Sequence, residues 1–419
     1  MLIEFQVTNF RSFRTTQTLS MAAASFREHQ KTHTFDSGLK NFPQIVRSAV
    51  IYGPNAAGKT NLIRGLAFLK SYVMHSASET FLSQNPYSPF KFSTAASSAP
   101  SEFQVTFGQN EIRYEYGVTI SSERIEREWL VENVHSRGRA LFERSYDKRR
   151  KDYRWKFGES FRGEKILWSK ATRSTALFLS TATQLNSEQL RPVFEWFQKR
   201  LVILVGITTM NPVLTLQLLD EPDGKKHLLP FLHEADLHIT NLDMRREAVP
   251  PGARILPGPA IIEQLPSGGA NMLTITLFHH SIDGSKDIGL GLEDESSGTQ
   301  VLFRSAGAWL NVLKNGEVLL FDEMDTSIHP LLTRFLVSRF HSNLHNPRNA
   351  QLIFTTHNTS LLDQAIFRRD QIWFVDKERD GGSRLYPLTE FNPRNDEALE
   401  QGYLRGRYGA LPILDEIKS

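Results

Sequence analysis

Cysteine is absent from the 419-residue chain, so neither disulfides nor thiolate-ligated zinc hold it together. That absence suits a reducing compartment, and a cytoplasmic location is expected. Charge of one sign is lacking as well. The chain carries 49 lysines and arginines against 46 acidic residues, a formal +3 that demands no polyanionic partner by itself. Long apolar runs are missing too: the stretch from Leu201 to Ile207 is far short of the roughly 20 residues of a membrane-spanning helix. At the start, MLIEFQVTNFRSF has Glu4 inside its apolar stretch and no basic region ahead of a long apolar one, so it does not read as a signal peptide. What is present, 40% hydrophobic and 23% charged residues, excludes collagen and a mostly disordered chain. Two or three structural units fit the length, as does one elaborated α/β domain with a long insertion.

Apolar patterning predicts a strand over residues 2–10 and a second from Arg47 to Tyr52 that runs into GPNAAGKT at 53–60, followed by a helix from Thr60 to about Val73. After a Ser-, Pro- and Asn-rich stretch at 74–100, alternation around GQN at 108–110 predicts a hairpin and a small antiparallel sheet over 101–160. Residues 174–200 and 226–246 read as largely helical, the first broken or kinked at Pro192, and Met272 to His279 reads as a strand. Beyond 295 the pattern is helix 300–314, strand 317–321, helix 330–340, strand 351–355, helix from Leu361 and strand 372–375. The two ends therefore form one α/β domain: residues 1–84 and 291–419 are its lobes, and 85–290 is a long inserted β-rich and helical region.

Gly53 to Thr60 fits G-x-x-x-x-G-K-T between a strand and a helix, the context that makes this motif a phosphate cradle. Gly53, Asn55, Gly58, Lys59, Thr60 and Asn61 are the candidate nucleotide-binding residues. Backbone N–H groups curl around the β-phosphate, Lys59 reaches the β- and γ-phosphates, and Thr60 ligates Mg²⁺. The apolar run 318–321 ends in Asp322 and Glu323, which suit a metal ligand and a group that orients and polarises the attacking water. Asp325 is a turn residue or a contact across a nucleotide-bound interface. His357, at the end of the strand within IFTTHNTSLL, donates to a γ-phosphate or belongs to a helix-capping neighbourhood with Asn358, Thr359 and Ser360. No Asn-Lys-x-Asp guanine-reading segment occurs, which favours ATP over GTP.

GPNAAGKT at 53–60, SSGTQ at 296–300, LLFDE at 319–323 and TTH at 355–357 together resemble the ABC-type heads of the SMC and RecF group. DESSGTQ at 294–300, DEMDTSIHP at 322–330, FTTHNTSLLD at 354–363 and YLRGRYGALP at 403–412 resemble bacterial AAA-labelled ATP-binding proteins close to the ATPase half of OLD-family nucleases. The resemblance implies an ABC-type P-loop ATPase head. In it Ser297 and Gly298 match the signature that binds the γ-phosphate held by another subunit, Asp325 sits at the junction, and His357 faces the γ-phosphate. One P-loop and one signature per chain imply a homo-oligomer, at least a head-to-head dimer. Taken alone, SSGTQ also reads as an ordinary Ser/Gly turn capping a helix. Gln84 is the candidate for the family's Mg²⁺-sensing glutamine or is an exposed loop residue, and Arg11 contacts base or phosphate or is a solvent-facing arginine after a strand. The chain ends too soon after Tyr408 and Gly409 for the metal-dependent TOPRIM domain of OLD nucleases, so no intrinsic nuclease activity is expected. Relatives in the wider family imply bacterial anti-phage defence beside a separately encoded effector such as a nuclease.

Arg144, Lys148, Arg149, Arg150, Lys151, Arg154 and Lys156, interleaved with Tyr146, Tyr153 and Trp155, form the densest basic stretch. It tracks a nucleic-acid backbone, faces an acidic partner, or is a charged hairpin on the inserted sheet. Three functions follow: an ATP-hydrolysing switch, a nucleotide-regulated DNA- or RNA-binding clamp, and an oligomeric scaffold that stores a toxic effector.

Overall fold

The computed structural model describes residues 1–78, 87–134, 137–204, 212–235, 238–250, 261–264, 269–284, 286–325, 328–394 and 396–412. Two compact units divide the chain. One comprises 1–205, 316–323 and 337–419, and the other 206–315 and 324–336. This division differs from the three segments drawn from the sequence, because residues 101–205 belong with the N-terminal lobe whereas 206–290 belong to the second unit.

The first unit is built on a six-stranded sheet. Its order is Leu201–Leu204, Val318–Phe321, Gln351–Thr355, Ser48–Tyr52, Ile372–Lys377 and Ser383–Pro387, with the first five parallel and the last antiparallel. Continuous apolar runs such as VLLF and SAVIY are what a strand covered on both faces requires, and every residue of these two is buried. The short apolar run at Leu201 is the edge strand of this sheet.

A seven-stranded antiparallel sheet lies in the same unit. The strands Ser101–Gln109, Ile112–Ile120, Ile125–Val134, Arg137–Asp147 and Asp152–Phe157 form its meander, as the alternation predicts. The N-terminal strand Leu2–Thr8 extends that sheet, pairing with Ser101–Gln109 on one side and Gln17–Ser20 on the other. Sequence patterning set this sheet apart as an insertion, because pairing such as Val7 with Phe103 joins residues far apart in the chain. The P-loop helix Lys59–His75 shares one apolar core with both sheets; a Cβ on its Gly65 would sit 3.3 Å from Phe5. Buried Gln351 ties the sheets together, accepting from Leu2 N at 2.7 Å and donating to Leu2 O at 3.0 Å.

Several local expectations change. Pro192 lies in the first turn of a helix, Arg191–Glu195, where its missing N–H leaves no bond unmade, so it starts a helix rather than kinking one. The break falls upstream, after Phe178–Gln184, at left-handed Asn186 (φ 64°). In the second unit, helices Val213–Asp220, Gly224–Glu234 and Ser297–Asn315 accompany a four-stranded antiparallel sheet. Ile239–Ala248 is a strand of that sheet, not a helix, because it pairs along Ala270–His280. From Thr359 the chain makes a single 3₁₀ turn to Leu361 instead of a helix. Among the described residues no helix is long and apolar enough to cross a membrane.

Two buried histidines support the core sheet from below. His33 and His341 stack at 3.7 Å. His33 Nδ1 donates to Gln371 Oε1 at 2.8 Å, since a carbonyl oxygen only accepts. Gln371 Nε2 donates to Ser48 Oγ, leaving that hydroxyl's hydrogen for His341 Nε2 at 2.8 Å. The network fits neutral rings. Burial pushes His33 down to about 4, and burial, then the neighbouring His33 and Arg47, push His341 well below the usual histidine range. The unfolded chain, titrating near 6.5, takes up protons that the fold refuses, so stability is complete above about pH 6.5 and falls as pH drops towards 4. Each histidine contributes a slope of at most about 1.4 kcal/mol per pH unit in that window. Thermal unfolding followed by circular dichroism should show a midpoint that decreases from pH 7 to pH 5. His341→Gln should flatten that dependence, and an unchanged slope would exclude His341 as a source of it.

Candidate functional site

The three parallel strands Val318–Phe321, Gln351–Thr355 and Ser48–Tyr52 end level at one edge of the first unit's sheet, Phe321 beside Phe354 and Thr355 beside Ile51. From these ends emerge Asp322–Glu323, Thr356–His357 and the P-loop. Parallel strands collect their functional loops at their C-terminal ends in this way.

The P-loop needs its glycines for close packing as well as for a ligand. A Cβ on Gly53 would run into the carbonyl oxygen of Val375, and one on Gly58 (φ 117°) would lie 2.5 Å from Ser383 Oγ and 2.6 Å from Ser12 Oγ. Ser12 and Ser383 were not singled out in the sequence, yet they brace the loop. Ser383 N donates to Ser12 O at 2.8 Å, Ser383 Oγ donates to Ala57 O, and Asn61 Nδ2 donates to Ser12 Oγ at 2.9 Å. Asn61 thus secures the P-loop helix, whereas Asn55 is exposed at the loop tip. Arg11 is exposed and left-handed (φ 53°), its N–H bonded to Ser88 O at 2.7 Å.

Lys59 is buried inside the loop. Its ammonium donates to Gly53 O at 2.7 Å, Pro54 O at 3.2 Å and His357 Nε2 at 3.0 Å. His357 therefore presents a ring lone pair to Lys59, next to a 3₁₀ turn capped by Asn358, whose side chain accepts from Ser360 N. The cap belongs to Asn358, and the histidine faces the P-loop lysine.

Thr60 Oγ1 donates to Asp322 Oδ1 at 3.2 Å. That oxygen also receives the hydroxyl of Thr355 at 2.7 Å, and Thr355 Oγ1 accepts from Glu323 N at 2.7 Å. Glu323 is exposed and has φ 54°, a conformation that costs an L-residue about 1–2 kcal/mol. Thr355 escaped the sequence reading because its partners lie some thirty residues away on another strand; only the TTH context marked the place.

Donor chemistry decides whether this edge suits a magnesium nucleotide. Mg²⁺ takes one or two protein carboxylates or hydroxyls and completes its shell with phosphate and water, and Thr60 with Asp322 supply that minimal set. Among the described residues no group of three or more His, Cys, Asp or Glu side chains could hold a metal ion. A 540 Å³ cavity opens beside the loop, bounded by Pro54, Asn55, His357, Thr359, Tyr403 and Leu411. A larger one of 650 Å³ lies against Glu28, Asp363, Asp396, Glu397 and Glu400, whose carboxylates repel a polyphosphate.

The remaining candidates lie elsewhere. Ser297 and Gly298 open the 19-residue helix Ser297–Asn315 in the second unit, Ser297 exposed and Gly298 half-buried, with Ser296 Oγ accepting from Thr299 N at 3.1 Å. Asp325 is half-buried in that unit. Gln84 lies outside the described residues. In the basic stretch, Arg144 is fully buried and pairs with equally buried Glu128 at 3.0 Å. Glu128 also accepts from Phe178 N at 2.7 Å and Leu179 N at 3.0 Å, so the pair pins the first turn of the helix Phe178–Gln184 to the sheet. Tyr153 OH donates to Ile125 O, and Trp155 packs against Phe178 at 5.0 Å. Asp147 caps the hairpin turn, held below the usual carboxylate range first by the Arg150 N–H and then by Arg149 N–H and the Arg154 side chain. Arg144 is thereby withdrawn from any surface a nucleic acid would touch, whereas Tyr153 and Trp155 are half-buried.

Comparison with solved structures finds similarity to an SMC head bound to the C-winged helix domain of ScpA, with 12% identity and a TM-score of 0.43 over 92% of this chain and 97% of that one. The SMC head domain from Thermotoga maritima is similar at 11% identity and a TM-score of 0.42, over 92% and 98% of the two chains. No curated protein matches the sequence. A family model matches residues 48–363, from the P-loop strand through the acidic strand to the His357 segment. The chain belongs to that family of P-loop proteins, described as "AAA domain, putative AbiEii toxin, Type IV TA system".

Proposed function

We propose that this protein is an ATP hydrolase with an ABC-type head that works as an ATP-dependent switch in bacterial anti-phage defence, coupled to a separately encoded effector. The observation that carries the reading is the meeting of Lys59, Thr60, Asp322, Glu323 and His357 at one sheet edge. The family's link to a toxin of a toxin–antitoxin system supports the effector.

Lys59 exchanges His357 for the β- and γ-phosphates, and the imidazole then faces the γ-phosphate. Thr60 and Asp322 would hold Mg²⁺, which would supply positive charge to offset that of the phosphates. Glu323, exposed beside them, orients the attacking water and accepts its proton. Ser297 and Gly298, at the start of a long helix, offer N–H groups suited to the γ-phosphate on a second copy, with Asp325 at the junction. Two copies are then needed for a complete site, and the switch is their closure on ATP and reopening on hydrolysis.

Glu323→Gln should retain ATP binding and lose turnover by about 10²- to 10⁴-fold. Phosphate release and native mass measured with and without Mg·ATP check this together: the variant should accumulate a closed oligomer with nucleotide bound, and unchanged turnover would remove Glu323 from the role. Lys59→Ala should instead weaken ATP binding by at least about tenfold, read by titration with a fluorescent ATP analogue. Retention of wild-type affinity would show that the nucleotide binds elsewhere.

A further inference from the structure

The strand Gln351–Thr355 separates the P-loop strand from the acidic strand and ends in a fully buried threonine. A hydroxyl has one hydrogen and two lone pairs. Glu323 N–H occupies a lone pair of Thr355 Oγ1 at 2.7 Å, so the single hydrogen goes to Asp322 Oδ1, also at 2.7 Å. One atom therefore fixes two neighbouring residues with different duties. It turns the Asp322 carboxylate, whose same oxygen receives Thr60, and it holds the Glu323 backbone at φ 54°, which an unassisted glutamate rarely adopts.

We infer that Thr355 is a positioning residue for ATP hydrolysis, which aligns the metal-holding carboxylate and the water-orienting glutamate as one unit. The inference rests on the ATPase reading above. The P-loop meets Asp322 through Thr60, while the Glu323 N–H donates to Thr355 Oγ1. A valine at 355 keeps the β-branched shape that suits the strand but offers neither donor nor acceptor, leaving Glu323 N–H and one Asp322 oxygen without this partner.

The test assays the full-length wild type, Glu323→Gln, Thr355→Val and Thr355→Ser side by side for kcat, KM for ATP and the Mg²⁺ concentration at half-maximal rate, with unfolding midpoints recorded. Thr355→Val should lower kcat by about 10- to 100-fold and raise the Mg²⁺ requirement, the range seen when partners of metal ligands are removed. Its KM for ATP should move less than about threefold, because the P-loop contacts are intact. Thr355→Ser, which keeps the hydroxyl, should restore most of the rate. If valine lowers the yield of folded protein, Thr355→Ala against Thr355→Ser repeats the comparison across one oxygen atom. Equal loss in serine and valine, or a valine variant with wild-type kcat and Mg²⁺ dependence, overturns the inference. A wild type that turns over no ATP overturns the ATPase reading and this inference with it. An active wild type disabled by Glu323→Gln yet indifferent to Thr355→Val overturns this inference alone.

Discussion

In-register parallel pairing of Ser48–Tyr52, Gln351–Thr355 and Val318–Phe321 is the constraint on which the candidate site depends. Residues separated by some 260 positions become neighbours because their strands stop at the same height. A slip by one residue would turn every side chain of a strand to its other face and move Asp322 out of reach of Thr60. Burial enforces the register: the strands are apolar on both faces, and polar residues at their lower ends, Ser48 and Gln351, are committed to specific partners. Gln351 fixes the sheet to the N-terminal strand while the same strand's far end delivers Thr355. Support at one end and chemistry at the other are carried by five residues.

Parts of this design were legible in the sequence because they are local. The glycines and lysine of the P-loop, the apolar run before Asp322 and the strand before His357 each lie within one short segment with a matching period. What was hidden is pairing over distance. The merger of the 101–157 meander with the first strand depends on Val7 meeting Phe103, which no window of sequence contains. Residues 239–246 read as helix because Leu242, Met244, Arg245 and Arg246 favour helices, and a partner strand overrides that preference. Ser12, Ser383 and Thr355 are ordinary hydroxyl residues until the fold supplies their partners.

The basic stretch teaches the converse. Spacing and composition put Arg144 with its neighbours, but the alternation of a strand sends successive residues to opposite faces. Arg144 points into the interior, where Glu128 and two backbone N–H groups share its neighbourhood, while Lys148, Arg149 and Arg150 stay exposed at the hairpin tip. Charge density along a chain and charge density on a surface are therefore different quantities. A buried pair of this kind locks geometry more than it adds stability, since desolvation offsets much of the attraction.

The resting bond between Lys59 and His357 has a consequence for sensitivity. An anion entering the loop must take the ammonium away from a partner it already has, so the observed affinity is lower than that of a lysine left open. Ligand binding at Lys59 and loss of its contact with His357 would then be one exchange, whose balance shifts gradually with ligand concentration.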